Sequence, residues 1–242
     1  MSELLTVSNL TKRFGGLTAV NDVSFSLAPG EIVGLLGPNG SGKTTVLNMV
    51  SGYLAPSGGT IALRRQVVSG LAPNRIALKG VARTFQLVRG LPSLTVAENV
   101  IAALAFGKRP LWGSAAATEA LACLAQVGLA HKAQQSAKDL TYIDQKRMEL
   151  ARALAAEPEL LLLDEWLAGL NPTELLTGID LIRSLRSRGI TILLVEHVMD
   201  AIRALCDRCI VMNAGRKIAD APTAEALCDP EVVRAYLGDG HA

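Results

Sequence analysis

The nine residues 37–45, reading GPNGSGKTT, constrain this chain more than any other segment. Four residues separate Gly37 from Gly42-Lys43-Thr44, which is the spacing of a phosphate-binding P-loop. The apolar run Ile32–Leu36 directly before it predicts a buried strand, and the residues from Thr44 onward predict a helix. A strand, a glycine-rich loop and a helix N-terminus in this order present backbone N–H groups to phosphate oxygens.

Each residue of the loop is therefore a candidate for nucleotide binding: Gly37, Pro38, Asn39, Gly40, Ser41, Gly42, Lys43, Thr44 and Thr45. Lys43 is expected to reach the β- and γ-phosphates, and the hydroxyl of Thr44 is expected to ligate Mg²⁺. The alternative interpretation is a glycine-rich turn ahead of an ordinary helix. The strand–loop–helix context favours the phosphate site.

Length and composition favour one large α/β domain, with room for an inserted subdomain. The chain has 242 residues, of which 50% are hydrophobic, and a formal charge of +2 that gives no electrostatic reason to expect nucleic acid. Basic pairs such as Lys146-Arg147 are interpreted as solvated. No apolar run approaches the ~20 residues that span a bilayer, and Met1-Ser2-Glu3 does not resemble a signal peptide. These features predict a cytoplasmic protein that contacts a membrane only through a partner.

An aromatic ring stands out near the N-terminus, between two segments that read as strands. Val23, Phe25 and Leu27 alternate with serines, a pattern that predicts antiparallel pairing on a half-exposed sheet. Phe14 lies in the predicted turn 12–16. It is either a packing residue or a flat platform on which a base stacks. The residues alone leave both interpretations open.

The middle of the chain reads as an inserted helical segment over about residues 87–156, between core parts at about 1–86 and 157–242. A strand is predicted over 80–86, ending on the polar residue Gln86. Thr95 and Glu98 have the spacing of a capping box and predict a helix start. A helix over 145–156 is expected to return the chain to the sheet.

Two later strands are followed by residues that can bind a metal ion or take part in catalysis. The apolar run Leu160–Asp164 predicts a central parallel strand, and ligands in such sheets lie at the carboxyl ends of strands. Asp164 is thus expected in the magnesium shell, and Glu165 is expected to polarise an attacking water; a helix cap is the alternative. The strand Thr191–Val195 leads to His197, whose imidazole could contact a γ-phosphate.

The ordered set of motifs resembles the ATP-binding subunit of an ABC transporter over essentially the full chain. The resemblance implies a P-loop NTPase core with a mostly parallel sheet, N-terminal antiparallel strands and an inserted helical subdomain. It implies that Phe14 stacks on adenine, that Gln86 senses magnesium and faces a membrane subunit, and that Asp164, Glu165 and His197 are the Walker B aspartate, the catalytic glutamate and the switch histidine. The implied cofactors are ATP and Mg²⁺. The implied partners are a second ATPase subunit, transmembrane permease subunits and, indirectly, a solute-binding protein.

A narrower resemblance is to the ATPases of branched-chain amino acid importers. It lies in the segments 81–86, 168–172, 195–197 and 233–238. On this reading Leu87, Val88, Leu91 and Leu94 are expected to line a groove for a cytoplasmic helix of the permease.

Two departures from the family pattern stand out. Trp166 occupies the position of the proline that usually follows the catalytic glutamate. The signature, usually Leu-Ser-Gly-Gly-Gln or Leu-Ser-Tyr-Gly-Gln, reads Leu140, Thr141, Tyr142, Ile143 and Asp144 here. Because the family signature contacts the ATP of the opposite subunit, bulk at Ile143 and negative charge at Asp144 predict a weak site there, and hence a heterodimer.

Other interpretations remain open at this stage. Thr141 and Asp144 also have capping-box spacing and could simply start a helix. The altered signature suits a nucleotide-binding regulatory subunit with weak hydrolysis, although Glu165 and His197 favour an active enzyme. A non-transport ABC protein usually carries tandem cassettes or basic extensions, which this sequence lacks.

Overall fold

The computed structural model describes residues 3–237. The strands are β1 (Leu5–Phe14), β2 (Leu17–Leu27), β3 (Ile32–Leu36), β4 (Gly58–Leu63), β5 (Gln66–Val67), β6 (Val81–Arg83), β7 (Leu160–Asp164), β8 (Thr191–Val195), β9 (Arg208–Asn213) and β10 (Arg216–Pro222). The α-helices are α1 (Lys43–Val50), α2 (Pro73–Leu78), α3 (Val96–Leu104), α4 (Gly113–Gln126), α5 (Tyr142–Leu154), α6 (Pro172–Ser187), α7 (Met199–Leu205), α8 (Thr223–Cys228) and α9 (Pro230–Leu237).

A six-stranded sheet in the order β10-β9-β3-β8-β7-β6 forms the centre of the molecule. Its pairings are parallel except the one between β10 and β9. Every residue of β3, β7 and β8 is buried, as the continuous apolar runs predict for strands covered on both faces. Because β3, β8 and β7 are neighbours, their carboxyl ends bring three distant segments to one edge of the sheet.

A second, antiparallel sheet has the order β2-β1-β4-β5. Val23, Phe25 and Leu27 are buried, in agreement with the predicted alternation. The predicted turn over 12–16 is too long, because β1 continues to Phe14 and pairs it with Leu17. A two-residue turn suffices since Gly15 adopts φ +55°.

The predicted strand over 80–86 is also too long. β6 pairs with β7 only over Val81–Arg83, and the Thr84 N–H still donates to the Leu162 carbonyl at 3.0 Å. Beyond that point the backbone N–H groups of Phe85 and Arg89 face a side chain instead, the carboxylate of Glu149, at 3.3 and 3.4 Å. Gln86 therefore lies on a loop that helix α5 holds.

Helices α3, α4 and α5 occupy the stretch between β6 and β7. Thr95 caps α3 in a complete capping box with Glu98, as predicted. Helix α5 begins at Tyr142, three residues earlier than the predicted start at 145. In the described part of the chain no helix combines the length and apolarity needed to cross a membrane.

Candidate active site

The loop between β3 and α1 has a backbone that only glycine permits at its ends. Gly37, Gly40 and Gly42 have φ of 141°, 78° and 103°. A Cβ on Gly37 would lie 2.1 Å from the carbonyl oxygen of Met212. Gly42 is the N-cap of α1, with no side-chain cap and no acidic residue in the first turn. The first N–H groups of the helix are thus left without a side-chain acceptor, as an anion site requires.

The other predicted loop residues differ in exposure. Ser41 is buried, and its Oγ has no hydrogen-bond partner among the described residues. Asn39 and Thr44 are exposed, whereas Pro38 and Thr45 are half-buried. The uncapped helix end, the exposed Thr44 hydroxyl and the Ser41 hydroxyl without a partner among the described residues all lie along this loop. This donor set fits a phosphate group.

Lys43 folds back over its own loop. Its Nζ donates to the carbonyl oxygens of Gly37 at 2.7 Å and Pro38 at 2.9 Å. Burial lowers the pKa of Lys43, while the negative charges of Glu165 and Asp164 act in the opposite direction. The Lys43 ammonium is therefore bonded to the glycine loop and lies in the field of the two acids at the end of β7.

Asp164, the last residue of β7, forms a buried ion pair with Arg83. The Arg83 Nη2 lies 2.8 Å from Asp164 Oδ2, and the two side chains are 5% and 6% exposed. The Nη1 of Arg83 also donates to Asn48 Oδ1 at 2.6 Å and to Ser51 Oγ at 3.0 Å, both on the first helix and its cap. Sequence reasoning missed Arg83, because the predicted strand over 80–86 did not end at this residue and its pairing with β7 is visible only in the structure.

The three residues expected to act in catalysis are brought together. The Gln86 amide donates to Glu165 Oε2 at 2.7 Å, and His197 Nε2 lies 3.2 Å from Glu165 Oε1. Glu165 adopts φ +50°, and its N–H donates to the Val195 carbonyl at 2.8 Å. Both carboxylate oxygens of Glu165 thus have a partner, and these partners come from segments 79 and 32 residues away.

Phe14 lies at the end of β1 with its ring 45% exposed. The Lys12 ammonium lies 5.1 Å from the ring centroid. The hairpin that carries Phe14 borders the phosphate loop, since a Cβ on Gly42 would lie 2.6 Å from the Ala19 carbonyl oxygen of β2. A ring this exposed is available for stacking, and its exposure rules out a core position but not packing against the loop.

The altered signature segment differs from expectation in two respects. Thr141 is the N-cap of α5, so the alternative that this segment starts a helix is confirmed. The capping box itself is absent, because the Thr141 side chain makes no bond to a backbone N–H and its hydroxyl donates to Asp144 Oδ2 at 2.9 Å instead. Asp144 is only 5% exposed and pairs with Lys132 at 2.5 Å and Arg147 at 3.4 Å. Asp144 therefore does not carry the unpaired negative charge that was expected at this position. Ile143 is half-buried, and its side chain is still bulkier than the glycine that the family signature has at this position.

The pKa of Asp144 reflects these contacts. Burial by itself would raise it, but hydrogen bonds from Lys132 and Thr141, together with the charges of Lys132 and Arg147, leave the pKa below its usual value. Asp144 is thus an ionised residue of the subunit interior. It organises the start of α5.

Three further residues near the site were missed. The Tyr236 hydroxyl, on α9, accepts the Gly37 N–H at 2.8 Å. Glu196 is 1% exposed and accepts the Leu167 N–H at 2.5 Å; burial raises its pKa to about 7. Lys146, interpreted above as solvated, is 2% exposed, so that interpretation is wrong. Of the C-terminal segment that carried the narrower resemblance, Gly238 lies outside the described residues.

The chain is similar to known ATP-binding proteins along its whole length. Residues 20–168 match the family model described as ABC transporter, and residues 216–242 match the one described as branched-chain amino acid ATP-binding cassette transporter. The high-affinity branched-chain amino acid transport ATP-binding protein LivG of Escherichia coli K12 is 44% identical over 250 residues, with 98% of each chain covered. The corresponding protein BraF of Pseudomonas aeruginosa is 40% identical with the same coverage. A crystal structure of the ADP conformation of an ATP-binding cassette of an ABC transporter superposes with a TM-score of 0.90 at 29% identity, covering 99% of this chain and 100% of that one.

Proposed function

The chain belongs to the ABC transporter family, and we propose that it is the ATP-hydrolysing subunit of an importer for branched-chain or related amino acids. As a member of this family it is a nucleotide-binding ATPase with the cassette fold. The observation that carries the proposal is the cluster of Gln86, Glu165 and His197 beside an open glycine-rich loop. The match of residues 216–242 to the branched-chain family supports the choice of solute class.

The nucleotide roles are assigned as follows in this proposal. Residues 37–45 hold the phosphates, Lys43 exchanges its carbonyl partners for phosphate oxygens, and Phe14 stacks on the adenine. Thr44, Gln86 and Asp164, the last of which is paired with Arg83 in this structure, would hold Mg²⁺ through hydroxyl, amide and carboxylate oxygens, the ligand type that this ion prefers. The bound ion neutralises charge on the phosphates.

Catalysis in this proposal depends on where Glu165 is held. Its carboxylate accepts a hydrogen bond from the Gln86 amide at one oxygen and lies 3.2 Å from His197 Nε2 at the other, so it is oriented before a water arrives. A carboxylate in this position polarises the attacking water as a general base. His197 is then free to exchange its bond to Glu165 for one to the γ-phosphate. An alternative, a regulatory subunit with weak hydrolysis, predicts that Glu165→Gln changes little in turnover.

ABC transporter ATPases work as dimers joined to transmembrane permease subunits. We infer that the permease docks in a cavity of about 510 Å³ next to the loop of Gln86. Its lining includes Tyr53, Phe85 and Phe106, and Phe106 is 81% exposed. Aromatic side chains grouped in one open cavity form an apolar patch of the kind that marks a partner's docking surface.

The segment predicted to line this groove lies beside the cavity. Leu87 and Leu91 are exposed, and Val88 and Leu94 are half-buried, but the lining of the cavity comes from other residues. Phe106→Asp is therefore expected to abolish uptake while ATP binding persists. If Leu91→Asp abolishes uptake and Phe106→Asp does not, the interface lies on the 87–94 segment instead.

The second ATPase subunit is proposed to be a different chain. Asp144 is neutralised within the subunit, so the argument now rests on Ile143, a β-branched residue where glycine normally allows the backbone to approach a phosphate. Replacing Ile143 by glycine should raise turnover of the assembled transporter, whereas Asp144→Gln should not because it leaves Lys132 and Arg147 unpaired. Equal loss of turnover from Glu165→Gln and from the same change in the partner subunit would argue for two equivalent sites.

We also propose that the chain forms a single ATPase domain, with core parts at about 1–86 and 157–242 and a helical subdomain at about 87–156. It is proposed to sit on the inner face of the cell membrane, held there by the permease. A solute-binding protein is its indirect partner.

The decisive test is uptake by the transporter reconstituted in vesicles. In vesicles whose ATPase subunits face the lumen, ATP enclosed in the lumen should drive accumulation of labelled leucine, isoleucine or valine. Lys43→Ala should stop this accumulation. Accumulation of none of these amino acids, in vesicles whose ATPase is active, would overturn the solute assignment and leave the ATPase assignment intact.

A further inference from the structure

Lys146, on the second turn of α5, is buried against the loop that follows the catalytic strand. Its Nζ donates to the carbonyl oxygens of Glu165 at 3.1 Å, Trp166 at 2.9 Å and Ala168 at 2.9 Å. An ammonium has three N–H donors, and each of these finds one carbonyl. The residue is thus fully engaged with the backbone on both sides of Trp166.

Trp166 in turn makes a hydrogen bond to the backbone of Lys146. Its ring is 1% exposed, and its indole Nε1 donates to the carbonyl oxygen of Lys146 at 3.1 Å. Gly178 of α6 leaves room for this loop, since a Cβ there would lie 3.3 Å from the Trp166 ring and 2.6 Å from Leu167 Cδ2. Proline, which usually follows the catalytic glutamate in the resembling family, has no N–H with which to make the reciprocal bond.

The contact reaches the backbone of Glu165 itself. Glu165 has φ +50°, a conformation that a side-chain-bearing residue adopts only when its surroundings impose it. The carbonyl of Glu165 is held by Lys146, and its N–H is held by the Val195 carbonyl. Fixing both peptide groups fixes the direction of the Glu165 side chain toward Gln86 and His197.

A purely packing role does not account for a lysine at this position. The hydrogen-bond acceptors of Lys146 are neutral carbonyls, and the buried carboxyls of Glu149 and Glu196 feel its charge without accepting a bond from it. Burying a charge without a hydrogen-bonded carboxylate is costly compared with an apolar side chain of similar size. The Tyr142 ring, at the first turn of α5, lies 4.8 Å from the ammonium and accounts for part of its stabilisation. What the ammonium adds over methionine is three directed hydrogen bonds to the catalytic loop.

We propose that Lys146 and Trp166 form a reciprocal clamp that ties α5 to the loop after β7 and positions Glu165 for catalysis. Lys146 is a positioning residue, because it touches the backbone of Glu165 and not the nucleotide. The same clamp links the signature segment, at the start of α5, to the catalytic glutamate of the same subunit. This inference rests on the proposed role of Glu165.

The test uses the purified transporter and Mg·ATP, with kcat, KM and nucleotide affinity measured for each variant. Lys146→Met should lower kcat at least tenfold while KM and the Kd of a fluorescent ATP analogue change less than twofold. Lys146→Arg, which keeps several donors, should restore at least a third of the lost activity. Lys138→Met, an exposed lysine before the signature, is the matched control and should behave as wild type.

Trp166→Phe keeps the ring and removes only the indole N–H. It should lower kcat two- to fivefold without altering KM, and it decides the matter if Lys146→Met fails to fold. Unchanged kcat in Trp166→Phe, or a parallel loss of ATP affinity and kcat in Lys146→Met, would overturn the clamp. Glu165→Gln separates the two proposals. If Glu165→Gln leaves hydrolysis intact, the assigned role of Glu165 fails. If Glu165→Gln abolishes hydrolysis but Lys146→Met has a normal kcat, only the clamp is refuted.

Discussion

Arg83→Met removes the guanidinium that faces Asp164 and keeps a side chain of similar length. The remaining carboxylate is 6% exposed, so water cannot take over the role of the arginine. With the two charge centres about 4 Å apart and an effective dielectric of about 20, the lost attraction is about 4 kcal/mol. Removing one partner of a buried pair typically costs about 3–5 kcal/mol. We therefore expect the free energy of unfolding to fall by about 3–5 kcal/mol.

Denaturant unfolding of a double-mutant cycle measures this directly. Asp164→Asn in the Arg83→Met background removes the uncompensated charge, so the double variant should lose about 2–4 kcal/mol less than the sum of the single losses. Arg216→Met is the control, because Arg216 is exposed on β10, and it should change the free energy of unfolding by less than about 0.5 kcal/mol. Additive losses, or a loss below about 1 kcal/mol in Arg83→Met, would refute the reasoning.

Three further predictions concern residues around the same edge of the sheet. Burial raises the pKa of Glu196 from 4.5 to about 7, so its contribution to stability is present below pH 4.5 and is lost as pH rises through 7. Glu196→Gln should therefore gain about 2.5 kcal/mol in free energy of unfolding relative to wild type between pH 5 and pH 8, as measured by urea unfolding. An equal pH profile in the two proteins would contradict this. Tyr236→Phe removes the acceptor of the Gly37 N–H and should weaken ATP binding about three- to tenfold in a nucleotide titration; unchanged affinity would show that α9 does not support the loop. Lys43→Ala should lower ATP affinity by on the order of 1.5–3 kcal/mol for each charge-assisted hydrogen bond lost, as measured by the same titration, and wild-type affinity would contradict the phosphate site.

Local sequence patterns predicted the elements of this molecule well. The glycine spacing of residues 37–45, the continuous apolar run of β7 and the capping box at Thr95 each depend on neighbours within a few positions. Their physics is local: a helix N-terminus, burial on both faces of a strand, and an N–H that needs an acceptor. The ends of β6 and α5 were less predictable, because Glu149 rather than a neighbouring strand satisfies the backbone after β6.

Contacts between distant residues could not be predicted from the same patterns. Arg83 meets Asp164 across 81 positions, and Tyr236 meets Gly37 across 199. Asp144 looked like a charge aimed at a phosphate, yet Lys132, twelve residues earlier, turns it inward. A short pattern shows which groups are polar or charged. Only the packed chain shows which of them are paired.

The central claim is that Glu165 of this subunit carries out hydrolysis of an ATP that the 37–45 loop binds. Single-turnover hydrolysis of Mg·ATP by the assembled transporter tests it most directly, with wild type compared with Glu165→Gln, an isosteric change that removes the carboxylate. The account predicts that the variant binds ATP with affinity within about threefold of wild type, since the phosphate contacts remain, but hydrolyses it at least a hundredfold more slowly, a difference of about 2.7 kcal/mol in the barrier. Hydrolysis in Glu165→Gln at a rate close to that of wild type would contradict it.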